Sequence, residues 1–201
     1  MDVLVAYAAA LVSFALAGAL RARRRYAWAA ALTAYAFAAS AMAWGAADGW
    51  DARTFRVYYL AGGMLTAPLL GVGSLLLTGR RWATHVALLY TGFAIGVAVT
   101  MPLHGSFGSG IPAAQDHLEW LPRAVAIAAN SLGSLTVVVV ALATLRRRPL
   151  GNTLIIAGVA VAATGSGLSG LGVSGAGGFV LAAACLLYLG VAGLPFRLEQ
   201  P

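Results

Sequence analysis

Three short clusters of arginine alternate with pairs of long, uncharged apolar stretches, and this alternation constrains the fold more than any other feature. The clusters are Arg21–Arg25, Arg80–Arg81 and Arg146–Arg148. Loops that remain on the cytoplasmic side of a membrane retain Lys and Arg during insertion. Each cluster therefore indicates the same side of a membrane, and two membrane spans are expected between consecutive clusters.

The composition agrees with a membrane protein. The 201 residues are 61% hydrophobic and 9% charged, whereas a soluble domain carries about 25% charged residues. The net charge of +7 is concentrated in short loops, which indicates topology rather than nucleic-acid binding. All thirteen basic residues are arginine, and Cys185 is the single cysteine. An intrachain disulfide or a thiolate metal cluster is therefore excluded, and the sequence predicts no cofactor and no metal.

Seven stretches are long enough to cross a bilayer, which requires about 20 apolar residues. The predicted spans are 3–20, 26–47, 55–78, 83–103, 122–145, 153–171 and 179–194. The fold class is an all-α integral membrane protein, a seven-transmembrane helix bundle that forms a single transmembrane domain over residues 1–201.

The distribution of charge predicts the orientation. Ten arginines fall on the side of the clusters, including Arg197 near the end of the chain. The remaining three are Arg53, Arg56 and Arg123, and five of the six acids lie on their side. We therefore expect the N-terminus outside and the C-terminus in the cytoplasm, in a bacterial inner membrane or its equivalent. The five tryptophans are predicted to lie at the two membrane interfaces: Trp28, Trp44, Trp50, Trp82 and Trp120.

An internal repeat is suggested by the arginine clusters. Superposing Arg23–Arg25 on Arg146–Arg148 places span two over span six and span three over span seven without a gap. This gives a 3+1+3 parallel repeat in hydropathy and charge only. SWEET-class sugar transporters and microbial rhodopsins share that plan, but this chain has neither a Pro-Gln pair nor a lysine that could hold retinal.

Small residues recur every four positions on two spans. Because apolar burial does not drive helices together in lipid, such faces allow close backbone packing. We expect both faces to pack within the bundle, and the alternative is a seam between two copies of the chain. The two stripes are Gly63, Ala67 and Gly71 on span three, and Gly158, Ala162, Ser166 and Gly170 on span six.

Two positions are candidates for a broken helix. Residues Gly165–Gly178 contain seven glycines in fourteen positions, and each glycine costs about 1 kcal/mol in a helix relative to alanine. The outer end of span six is expected to be unwound, to pack tightly against a neighbour, or to form a flexible loop. Pro68 removes a backbone donor in the middle of span three, and Pro102 marks the end of span four.

Polar side chains within spans require partners and are therefore candidate ligand contacts. We expect a cavity in the outer half of the bundle, with a wall formed by Arg56 and Tyr59 of span three, Asn130 of span five, and the backbone around Gly165–Gly170 of span six, with Ser166 as a ligand contact. Arg123 is placed at the mouth. The two arginines either pair with Asp48 and Asp51, or lie among lipid headgroups. Asn130 either bonds a neighbouring helix or contacts a ligand.

The histidines do not form a recognisable metal site. His85 and His104 lie about 28 Å apart along one helix, and His117 shares its loop with His104, Asp116 and Glu119 without metal-ligand spacing. No hydrolase motif is present, so the sequence argues against an enzyme. The expected partners of the protein are the lipid bilayer and a small molecule or ion, and no nucleic acid is expected. Translocation of that ligand is the first hypothesis, and a sensory binding module that works with a partner protein is the second.

Overall fold

The computed structural model describes residues 3–108, 110–170 and 176–192, without the side chains of residues 167–170 and 176. This part of the chain is helical and contains no β-strand. Its elements are α1 (Val3–Ala22), α2 (Tyr26–Asp48), α3 (Ala52–Tyr58), the π segment (Tyr59–Leu65), α4 (Thr66–Leu77), α5 (Ala83–Thr100), α6 (Ala114–His117), α7 (Trp120–Ala143), α8 (Pro149–Gly170) and α9 (Ala176–Ala192).

Six helices are long and apolar enough to cross a membrane, and α3, the π segment and α4 together make one of them. The others are α1, α2, α5, α7 and α8, while α9 is a shorter apolar helix over Gly177–Ala192. The prediction of an all-helical chain is therefore confirmed for the described residues, with six candidate membrane spans where the sequence predicted seven, and the fold is consistent with a polytopic membrane protein. Helix α5 ends at Thr100, two residues before Pro102, as the sequence predicted.

Six of the helices pack in a closed ring. Helix α1 contacts α2 and α9, α2 contacts the α3–π–α4 helix, α4 contacts α7, α7 contacts α8, and α8 contacts α9. Helix α5 lies outside the ring against α4 and the π segment. We call the end that carries the connection 101–119 the loop side, and the end that carries the arginine clusters the arginine side.

The arginine-side half of the ring is filled by large apolar side chains. Trp28, Leu32, Leu70, Val137 and Leu187 belong to one buried cluster. The Trp28 side chain is only 1% exposed, so it packs inside the bundle, and its position at the membrane interface stays a prediction. Glycine explains this burial: a Cβ at Gly73 would lie 2.5 Å from the Trp28 ring, so only glycine leaves room for the indole.

The first small-residue stripe packs against α7, as predicted. A Cβ at Gly71 would lie 3.0 Å from the Gly133 carbonyl oxygen, and a Cβ at Gly133 would lie 2.4 Å from backbone atoms of Ala67. The third member of the stripe, Gly63, also meets α7, because its carbonyl accepts a hydrogen bond from Asn130 of that helix. The absence of side chains at Gly71 and Gly133 therefore sets the distance between α4 and α7.

The glycine-rich segment differs in part from the prediction. Helix α8 continues through Gly170 instead of unwinding, and a Cβ at Gly165 would lie 2.5 Å from the Phe179 Cβ. Of the three alternatives that the sequence left open, tight packing against a neighbour is the one found at Gly165. Residues 171–175 of the same segment lie outside the described residues. The packing glycines of α8 are spaced by seven residues, not four: Gly151, Gly158 and Gly165 all face α9.

The carboxyl end of α9 is bound by arginines from two clusters. The Arg23 Nη1 atom donates to the Ala192 carbonyl at 2.9 Å, and Arg148 Nη2 lies 3.4 Å from the Gly190 carbonyl oxygen. The last carbonyls of a helix lack helical donors and carry partial negative charge. These arginines therefore stabilise the end of α9 and place two of the clusters on one side of the bundle.

We predict that Gly133→Ala destabilises the bundle by about 1–3 kcal/mol, because a methyl group there overlaps the backbone of α4. Gly92→Ala is the matched control, since a Cβ at Gly92 meets no atom within 4 Å, and alanine favours the helix. Thermal unfolding of the two purified variants in detergent measures the difference. Equal melting temperatures would show that the α4–α7 contact is not close.

Candidate functional site

A cavity of about 620 Å³ occupies the centre of the ring. It lies beneath residues 111–114 of the loop side and extends past the middle of α2, where Tyr35 is 13 residues, or about 20 Å, from the loop-side end. The floor is formed by Leu70 and Leu187 of the apolar cluster. The cavity is therefore closed on the arginine side by packed side chains.

Three of the five predicted site residues line this cavity: Tyr59, Asn130 and Ser166. Arg123 is half-buried and does not line it. Its guanidinium is near enough to the Tyr59 hydroxyl for an electrostatic interaction. Arg123 therefore lies near the loop-side rim, as expected, whereas Arg56 lies elsewhere.

Arg56 binds α5 instead of facing the cavity. Its Nη1 atom donates to the carbonyls of Ala98 at 2.6 Å and Val99 at 3.1 Å. These carbonyls belong to the last turn of α5, where helical donors are absent and a positive charge is favoured. The sequence could not indicate this partner, because the end of α5 is more than 40 positions away.

The predicted pairing of Arg56 or Arg123 with Asp48 or Asp51 does not occur in the structure. Within the described ranges no arginine forms an ion pair with an acid. Asp51 instead caps α3, accepting a hydrogen bond from the Thr54 backbone N–H at 2.7 Å. Hydrogen bonds from Thr54 lower the pKa of this carboxyl below its usual range.

The π segment ends at Leu65, three residues before Pro68, and borders the cavity. In an α-helix the Met64 carbonyl would accept from residue 68, and in a π-helix the Gly63 carbonyl would do so. Proline has no N–H to donate. Both carbonyls instead receive side-chain donors: Tyr90 Oη donates to Met64 at 2.8 Å, and Asn130 Nδ2 donates to Gly63. The helix therefore continues through Pro68 instead of breaking there, and the change from α to π hydrogen bonding lies just before it.

Asn130 therefore has a structural partner, one of the two alternatives that the sequence left open. One amide hydrogen is used by Gly63. Because Asn130 also lines the cavity, its amide oxygen and second hydrogen are the groups available for a ligand. Its role as a ligand contact stays a prediction.

Three serine hydroxyls in the cavity wall differ from most other helical hydroxyls. Thr33, Thr136 and Thr164 each donate to the carbonyl four residues earlier. Ser131, Ser134 and Ser166 line the cavity and make no hydrogen bond with any part of the chain that the structure describes. Their hydroxyls are therefore free to bind a ligand.

Sequence reasoning did not assign three further polar residues to the site, and one of them, Thr66, uses its hydroxyl to donate to the Ala61 carbonyl. The cavity is also lined by Tyr35 of α2 and Tyr58 of α3, whose side chains are close enough to interact electrostatically. Tyr35 could have been noticed as an isolated polar side chain in a span composed mostly of alanine. Residues 111–114 also line the cavity at its loop-side end. Nothing in the sequence indicates this, because their position depends on how the loop folds back over the bundle.

The histidine-containing loop is a folded cover. His117 is buried, stacks on Phe107 with ring centroids 4.4 Å apart, and its Nδ1 lies 2.9 Å from the His104 carbonyl oxygen. His104 in turn lies 3.6 Å from exposed Glu119. No group of three or more potential metal ligands occurs among the described residues. His117 thus anchors the loop that covers the cavity.

We predict that the Tyr90 hydroxyl compensates for Pro68. Tyr90→Phe should cost about 1 kcal/mol by leaving the Met64 carbonyl without a donor. In a Pro68→Ala background, residue 68 can supply its own N–H, so the same substitution should cost much less. A double-mutant cycle measured by unfolding in mixed micelles tests this, and an equal cost in both backgrounds would contradict the assignment.

Comparisons of the chain with known protein families, with curated proteins and with solved structures find no match. The function must therefore be argued from the cavity itself.

Proposed function

We propose that the protein is a seven-span translocator that binds a small ligand in its central cavity. The observation that carries the proposal is the position of the cavity at mid-depth in the bundle, beside a backbone interruption. Transporters commonly bind ligands at such depth, next to discontinuous helices.

The proposal includes α9 as the seventh span. The helix extends over about 25 Å, and no charged residue occurs in the sequence between Arg148 and Arg197. With seven spans, the ten-to-three distribution of arginines favours an orientation with the loop side outside and the arginine side in the cytoplasm. A bacterial inner membrane or its equivalent is the matching location.

The order of helices around the ring supports a parallel 3+1+3 repeat. Going round the ring, spans one, two and three are followed by spans five, six and seven. A half-turn about the centre would therefore exchange the two groups, with span four (α5) as the linker outside the ring. In transporters built from such repeats, the ligand site lies between the repeats, which is where the cavity is found.

The packing on the two sides of the cavity supports alternating access. The arginine-side half is blocked by Trp28, Leu32 and Leu187, while the loop side is covered by residues 111–114. A translocator in this state would release the ligand to the cytoplasm only after the arginine-side cluster separates. The packed cluster also favours the second candidate, a sensory module whose pocket communicates only with the outside.

We predict that a cysteine in the cavity is accessible from both sides of the membrane. Ser134→Cys is introduced into a Cys185→Ala background, and a membrane-impermeant methanethiosulfonate is applied to right-side-out or inside-out vesicles. Leu132→Cys is the control, because this α7 side chain is 65% exposed and does not line the cavity. Labelling of Ser134→Cys from both orientations is expected for a translocator, with no labelling of Leu132→Cys.

Labelling of Ser134→Cys only from the loop side would contradict translocation and favour the sensory module. An absence of labelling from either side would exclude an accessible cavity. The same background provides the test of orientation. We expect Ser106→Cys to react only from outside and Pro149→Cys only from the cytoplasm, and the reverse result would invert the bundle.

A further inference from the structure

We infer that the cavity takes an uncharged organic molecule with hydroxyl groups, and not an ion or a charged metabolite. This inference rests on the proposed function and names its ligand class. It follows from three features of the cavity: the absence of charge in its wall, its unused hydroxyl groups, and its size.

The cavity wall is electrically neutral. None of its lining residues among the described positions is Asp, Glu, Lys, Arg or His. Residues 167–176, whose side chains are not described, contain no charged residue either. A charge removed from water into such a site without a partner is strongly disfavoured. An ion or a charged metabolite would therefore bind weakly in this cavity.

The nearest cationic groups lie outside the cavity wall. Arg56 binds the carbonyls at the end of α5. Arg123 precedes Asn130 by seven residues on α7, so its Cα lies about 10 Å nearer the loop side, and its guanidinium interacts with the Tyr59 hydroxyl at that end. A carboxylate bound deeper in the cavity, between Asn130 and Ser134, would have no arginine beside it.

The polar groups that remain are neutral. Asn130, Ser131 and Ser134 lie on α7 and Ser166 lies on α8, while Tyr35 of α2 and Tyr58 of α3 line the cavity beside small apolar residues. Hydroxyls both donate and accept hydrogen bonds, which matches alcohol groups in a ligand. A molecule with several hydroxyls on an apolar frame would satisfy these groups.

The volume excludes an ion filter. A volume of about 620 Å³ lies within the range of roughly 300–1,000 Å³ found for organic ligand sites. Ion selectivity instead requires close rings of carbonyls or charged side chains. The ligand is therefore a molecule of many atoms.

The test uses two matched trios of probes. Phenyl glucoside, phenyl glucuronide and phenyl 6-amino-6-deoxyglucoside differ only in carrying a hydroxymethyl, carboxylate or aminomethyl group. 4-Phenylbutanol, 4-phenylbutyrate and 4-phenylbutylamine form the second trio. Saturation-transfer NMR and titration on the full chain in nanodiscs give the affinity of each. We expect the neutral member of at least one trio to bind about tenfold or more tightly than its charged partners.

Two α8 variants identify binding within the cavity. Ala163→Phe fills the cavity and should weaken the neutral probe by about tenfold. Ala160→Phe is the matched control, because residue 160 is exposed and does not line the cavity, so it should bind as the wild type does. If Ala163→Phe does not fold, Ser134→Ala with Ser166→Ala replaces it, and the phenyl glucoside should bind several-fold more weakly.

The outcomes separate this inference from the proposed function. Tighter binding of a charged probe, sensitive to Ala163→Phe, would overturn the inference while the cavity keeps its role. If a charged, anionic probe binds and this binding is lost in Arg123→Gln, the inference of a neutral ligand is overturned in favour of an anion site at the rim. If no probe binds in a manner sensitive to Ala163→Phe, the inference also fails. The proposed function itself fails only if Ser134→Cys cannot be labelled from both sides.

Discussion

The structure depends on how two neighbouring backbone carbonyls, those of Gly63 and Met64, are satisfied in the turn where Pro68 supplies no N–H. At membrane depth a carbonyl without a donor costs several kcal/mol, so a partner must be supplied from outside the helix. Tyr90 of α5 and Asn130 of α7 supply it. These bonds specify which helices flank the interrupted span, and the glycine at position 133 lets α7 approach closely enough to reach it.

The cavity follows from the same set of small residues. Glycine and alanine on facing helices let neighbouring backbones approach each other around the ring, but they provide no side chains to fill its centre. Gly62, Gly63 and Ala67 all line the cavity, and Ala38 faces it from α2. On the arginine side, large side chains such as Trp28 fill the corresponding space. The change from small to large residues along the bundle axis therefore sets the floor of the cavity.

Local signals in the sequence predicted more of the fold than of the site. The apolar stretches predicted the helices, and the irregular hydrogen bonding of the turn before Pro68 follows from a missing donor, which is a property of one residue. The partner of Arg56 could not be predicted, because the end of α5 approaches it only in the folded bundle. At Gly165 the sequence left unwinding and tight packing open for a similar reason: the propensity cost of glycine is local, whereas its packing against Phe179 is not. Asn130 was identified because an amide within a span requires a partner wherever it lies.

The arginines and the serine hydroxyls of this protein have different positions and different roles. Arg23, Arg56 and Arg148 lie within hydrogen-bonding range of carbonyls at helix ends, where they complete the scaffold. The hydroxyls of Ser131 and Ser134 lie in the centre, without partners in the described part of the chain. A scaffold whose charges are held at its ends can change shape around a neutral centre without moving a charge through the membrane interior, which would be costly. This separation makes a neutral ligand physically compatible with rearrangement of the bundle, because neither the wall nor the ligand brings an unpaired charge into the apolar region.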